Sequence, residues 1–101
     1  MTFEWDDGKN QLNIQKHKIA FNEAKSVFFD PFCLRKLDTR FTDSYDEERW
    51  QALGSINGIT VLLVAYTHRD DDNEEVIRII SARKANKTEK RAYDYAKTQG
   101  Y

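Results

Sequence analysis

Two imidazoles and a scattered set of cations carry most of the chemical potential of this chain. His17 and His68 are its only histidines, and an unperturbed imidazole titrates near about 6.5, so either can move a proton at neutral pH. Arg78 stands in the middle of the apolar run Val76 to Ser81. A guanidinium there either pairs with a carboxylate or opens onto a polar cleft. Glu48, Arg49 and Trp50 begin a second extended segment, and Arg83 and Lys84 follow the one that holds Arg78. Side chains from several strand ends can therefore converge. Proton carriers beside cations suit a phosphodiester: one group takes the 2'-hydroxyl proton, one protonates the leaving oxygen, and cations stabilise the phosphate. Trp50 and Tyr66 offer rings on which bases can stack, or core rings; the sequence leaves both readings open.

Other chemistries find little support. There is no Gly-rich phosphate loop, no clustered set of metal ligands, and no Ser or Cys spaced with His and Asp as a nucleophile. No metal and no cofactor is expected. The one cysteine, Cys33, rules out an intramolecular disulfide and fits a reducing cytosol. The acidic start, Met1 to Asp7, is unlike a secretory leader, and no apolar run approaches the roughly 20 residues of a membrane span. A cytoplasmic protein without membrane contact is the expectation.

Formal net charge is -1, which argues against a large uniform basic surface. The distribution is uneven: from Val76 to Tyr101 there are seven Lys or Arg against two acids. A polyanion or an acidic partner can dock there, or the segment is a helix with a solvated basic face.

These groups must be positioned by one domain spanning 1–101, since 101 residues leave no room for a second core. Phe3 to Trp5 alternates as a short strand, and Asp6-Asp7-Gly8 offers an N-cap for a helix from about Lys9 past His17. A second helix from about Asn22 ends at Asp30-Pro31, because a residue before proline avoids helical angles. Cys33 to Asp38 reads as an edge strand and Thr39 to Glu47 as a charged loop. Arg49 to Ile56, the turn pair Asn57-Gly58, Ile59 to Tyr66, a turn at Arg69 to Asn73, and Val76 to Ser81 make three antiparallel strands. His68 then falls near that second turn. Asn86-Lys87-Thr88-Glu89 has the form of a capping box for a last helix to about Thr98.

Taken together the segments resemble the BrnT toxin family. Phe3-Glu4-Trp5-Asp6 opens the resemblance, and Lys9, Asn13, Lys16 and His17 continue it as K-x-x-x-N-x-x-K-H. Phe21, Glu23, Ala24, Phe28 and Asp30-Pro31 follow, then Glu48-Arg49-Trp50 through Gly54. Ile77-Arg78-Ile79-Ile80-Ser81-Ala82-Arg83-Lys84-Ala85 with Glu89 and Tyr93 is its most specific part. One departure is Lys18, where the family usually has Gly; if that position is left-handed, Lys18 costs on the order of 1 kcal/mol.

The resemblance implies an α+β fold like that of RelE ribonucleases, an antiparallel sheet with two N-terminal helices on one face and a C-terminal helix. It implies an RNA-cleaving toxin held by a BrnA-like antitoxin with a ribbon-helix-helix domain, in a hetero-oligomer that touches operator DNA only through the antitoxin. Lys16, His17, Arg49, Arg78 and Arg83 match motif positions and, with Glu48, are the catalytic candidates. Trp50, Tyr66 and Lys84 are the RNA-binding candidates. A non-catalytic co-repressor acting only within the antitoxin complex is the alternative.

Overall fold

The computed structural model describes residues 1–41 and 48–99. The elements run β1 (Thr2–Trp5), α1 (Asp7–His17), α2 (Phe21–Ala24) continued by a 3-10 turn (Lys25–Phe29), β2 (Leu34–Leu37), a 3-10 turn (Thr39–Phe41), β3 (Trp50–Ser55), β4 (Val61–Asp71), β5 (Glu74–Lys84) and α3 (Lys87–Thr98). Most of the charged loop expected at Thr39 to Glu47 lies outside the described residues.

The five strands form one sheet in the order β1-β5-β4-β3-β2. The meander β3-β4-β5 is antiparallel as expected, and β2 takes the edge. The sheet is mixed instead of wholly antiparallel, because β1 pairs parallel with β5. The chain leaves β1 through α1 and α2 and reaches β5 only after three intervening strands, so the two strands meet pointing the same way. The second helix is also shorter than expected: α2 gives way after one turn to the 3-10 segment, and Asp30 then takes the extended angles (φ −71°, ψ 122°) that Pro31 demands.

Local chemistry fixes the ends. Asp6 caps α1, its carboxylate accepting the Lys9 N–H at 2.9 Å. Asn86 and Glu89 form the expected capping box on α3, with Glu89 N–H donating to Asn86 and Asn86 N–H to Glu89 at 2.8 and 2.9 Å. Asp72 and Asn73, both with positive φ, make the two-residue turn between β4 and β5. His68 therefore lies within β4, which runs three residues beyond it, and not in a turn.

The core divides into two clusters. Ile19, Phe21, Ala24 and Val27, from the segment containing α2, pack with Ala52, Leu62, Val64, Tyr66, Ile77, Ile79 and Ala82 of the strands. Tyr93 of α3 packs with Leu53, Val61 and Leu63, the alternate residues of β3 and β4 that point to the opposite side. Gly54 is required at the first junction, since an added Cβ would lie 2.9 Å from Val27 Cγ1 and 3.0 Å from its carbonyl oxygen. Asp30 ties the layers at one end: it accepts from Ser55 N–H (2.7 Å), Phe32 N–H (3.0 Å) and the Tyr93 hydroxyl (2.5 Å).

Candidate nucleic-acid site

The outer edge of β5 is where the sequence candidates come closest together. β1 covers β5 only as far as Ile79. Beyond that point α1 lies against the strand, and Lys9, Leu12, Asn13, Lys16, His17, Ile80 and Ser81 line a groove of about 280 Å³. Two segments far apart in the chain, the Lys9 to His17 pattern and the Ile77 to Ala85 pattern, thus meet at one hollow. Asn13 is the structural member: its Nδ2 donates to the carbonyls of Ile19 (2.8 Å) and Ala82 (2.9 Å), and its Oδ1 accepts the Ala82 N–H at 3.0 Å. Ammonium groups at Lys9 and Lys16, an imidazole at His17 and a hydroxyl at Ser81 remain for a ligand.

A bulge sets the neighbours of this groove. In β4, Leu63, Ala65 and Thr67 alternate and so share a face; their partners on β5 are Arg83, Ser81 and Arg78. An unbroken strand would send residues 78 and 83, five apart, to opposite faces. The register shift at Ala65/Tyr66 leaves Ile80 as the extra residue and restores them to one side. Ser81 therefore stands between Arg78 and Arg83, with about 7 Å between successive positions.

Neither arginine is solitary. Arg78 donates to Glu4 at 3.0 Å, and Arg69 donates to the same carboxylate at 3.1 and 3.2 Å. Arg83 holds Glu89 with two bonds of 2.8 and 2.9 Å. Both guanidiniums keep an open flank, at 44% and 41% side-chain exposure. The pairing holds Glu89 below the usual carboxylate range, through the Arg83 bonds first, and Glu4 likewise through Arg69 and then Arg78. Thr67 Oγ1, on the strand position opposite Arg78, is buried without a hydrogen-bond partner among the described residues.

The remaining candidates lie elsewhere. Glu48 is exposed and Arg49 half-buried just before β3, two strands from β5, and neither lines the groove. Lys84 is exposed at the end of β5. Tyr66 is fully buried, so its ring has no open face for a base. Trp50 is half-buried, edge-on to His68 at 5.2 Å.

Sequence reasoning missed a second polar cluster around these two rings. Arg35 donates to the Tyr66 hydroxyl at 2.7 Å and to Glu75 at 2.6 Å, and its guanidinium lies over the Phe28 and Tyr66 rings. His68 Nδ1 is buried 3.4 Å from the same Glu75 oxygen, without hydrogen-bond geometry. Arg35 and Glu75 are 40 residues apart with no shared pattern, and only the strand order brings them together. Among the described residues no group of three or more His, Cys, Asp or Glu side chains is placed to hold a metal ion. No helix among them is long and apolar enough to cross a membrane.

Comparison with known proteins agrees with the order of these elements. The family model described as the ribonuclease toxin, BrnT, of type II toxin-antitoxin systems matches residues 5–89. The 1.1 Å crystal structure of the Brucella abortus ribonuclease toxin BrnT is similar, with 28% sequence identity and a TM-score of 0.58, covering 86% of this chain and 99% of that one. No curated protein sequence matches.

Proposed function

Because the chain belongs to the BrnT family of ribonuclease toxins of type II toxin-antitoxin systems, we propose that its RNA-cleaving centre is the groove at the outer edge of β5. The observation that carries this is the double placement of Ser81, which lines the groove with Lys16 and His17 and also stands between Arg78 and Arg83. A phosphodiester seated at Ser81 has an imidazole on one side and guanidiniums along the strand. His17 supplies the only imidazole among the groove's lining residues, and in this reading it takes the proton from the 2'-hydroxyl. Attack of that oxygen on phosphorus breaks the bond to the 5'-oxygen, which leaves as a hydroxyl by taking a proton from the Lys16 ammonium or from water, and a 2',3'-cyclic phosphate remains. Lys16, Arg78 and Arg83 stabilise the charge that builds on the phosphoryl oxygens, and no metal is needed.

This reading is tested by incubating purified protein with single-stranded RNA in EDTA. Cleavage by the wild type and its loss in Arg83→Ala support it. Full cleavage by the variant, with an unchanged melting temperature, removes Arg83 from the mechanism.

A second reading is favoured by the contact of His68 with Glu75. There the Glu75 carboxylate accepts from the Arg35 guanidinium at 2.6 Å and has the His68 imidazole 3.4 Å away on the same oxygen. Retained cleavage in His17→Ala with loss in His68→Ala selects it. Trp50 beside His68 then serves as the stacking platform.

The RelE-like architecture, and inhibition by a BrnA-like ribbon-helix-helix antitoxin that alone touches operator DNA, rest on family membership. Growth arrest on expression of this chain without a partner distinguishes an active toxin from a non-catalytic co-repressor.

A further inference from the structure

We propose that the hollow between α3 and the sheet is a nucleobase pocket that reads the RNA next to the phosphate held by Arg83, and that it selects against uracil. This rests on the reading of the β5 edge as the cleavage centre. The hollow measures about 260 Å³ and is lined by Leu34, Leu53, Leu63 and Ala92, with Lys36, Gln51, Thr88 and Glu89 among them. Sites for drug-sized ligands run from roughly 300 to 1,000 Å³, so this one suits a single base instead of a whole nucleotide. Apolar walls take the base faces, and the polar groups meet its edge.

The pocket is joined to the proposed phosphate site by two links. Leu63, on its wall, is the cross-strand partner of Arg83. Glu89, also on its wall, is the carboxylate that Arg83 grips. The cations Lys36 and Arg83 at its margin match an occupant that carries a phosphate, which an apolar side chain of a protein partner does not.

Glu89 supplies the selectivity. A carboxylate offers about four lone-pair sites, and Arg83 uses two while the Asn86 N–H uses one. One acceptor on Oε2 remains, and it calls for a donor on the base. Adenine, cytosine and guanine present exocyclic amino groups; uracil presents carbonyl oxygens on either side of its one N–H, which oppose a carboxylate. Gln51 also lines the hollow, and with its Nε2 on Asp38 at 3.4 Å its amide oxygen is the group left to meet a second edge of the base.

The test uses the full chain and the four nucleoside 5'-monophosphates as probes, followed by amide NMR. AMP, CMP and GMP should shift Leu53, Leu63 and Ala92, with UMP weaker by about tenfold, within the range that one unsatisfied polar group costs. Ala92→Trp, at an exposed helix position, should abolish these shifts and erase the base preference in mapped cuts of a mixed-sequence RNA. Gln51→Ala, read in the same way, covers the case in which the tryptophan disturbs folding. Shifts that fall outside the pocket, UMP binding equal to the others, or cut-site preferences unaltered in both folded variants would overturn the proposal. Absence of RNA cleavage by the wild type would instead refute the cleavage centre, while the nucleotide shifts would still report on the pocket.

Discussion

The amide of Asn13 stands in for a strand beside Ala82. It accepts the Ala82 N–H at 3.0 Å and donates to the Ala82 carbonyl at 2.9 Å, at the place on β5 where β1 has ended. The same Nδ2 reaches Ile19, so one buried side chain closes the sheet edge and sets the turn between α1 and α2. Asn10 assists by accepting the Phe21 N–H at 2.8 Å.

Removing that amide leaves three buried backbone groups unsatisfied. Asn13→Ala should destabilise the protein by about 2 to 3 kcal/mol, the scale for orphaned buried polar groups. Urea denaturation checks this, and a loss under about 0.5 kcal/mol would mean that water replaces the side chain at little cost.

Lys18 tests the opposite sign. It caps α1 in the left-handed region, at φ 61° and ψ 30°, where a side chain is strained. The family that the sequence resembles usually has Gly at this position. Lys18→Gly should stabilise the fold by about 1 kcal/mol, seen as a higher midpoint in thermal melts.

Gly54→Ala should do the reverse. The new methyl meets Val27 side chain and backbone at 2.9 and 3.0 Å. Overpacking of this kind costs about 1 to 3 kcal/mol, measurable by the same denaturation series.

Asp30 makes stability depend on acid pH. Burial disfavours its charge, but the Ser55 N–H, the Tyr93 hydroxyl and the Phe32 N–H outweigh it and hold the carboxyl below its ordinary 3.8. A lowered folded value means that the contribution is complete above the unfolded value and is lost as pH falls through the folded one. Glu4, Asp38, Glu75 and Glu89 shift the same way. Stability should therefore be flat from neutrality to about pH 5 and drop below about pH 4. Tyr93→Phe should cost about 2 kcal/mol at neutral pH, and the gap from wild type should narrow as Asp30 protonates. A constant gap across pH titration would show that the hydroxyl is not tied to the carboxylate's charge.

Local signals were readable in the chain, and long-range ones were not. The Asn86 capping box, the Asp6 N-cap and the meander follow from residue types and spacing, because each involves neighbours within a few positions. The parallel pairing of β1 depends on where the crossover through α1 and α2 returns the chain, which periodicity does not encode. The bulge at Ile80 is equally silent in Arg78-Ile79-Ile80-Ser81, yet it decides that Arg78 and Arg83 share a face. Tyr66 reads as a possible stacking ring in an apolar strand, and only packing against Phe28 at 4.9 Å and the Arg35 bond assigns it to the core.

The central proposal, that the β5 edge moves the proton in RNA cleavage, is tested most directly by the single-turnover cleavage rate of His17→Ala on single-stranded RNA in EDTA. The expected result is a fall of about 10²-fold or more, the usual contribution of a general base, with the melting temperature retained and His68→Ala close to wild type. A His17→Ala rate equal to that of the wild type would contradict it.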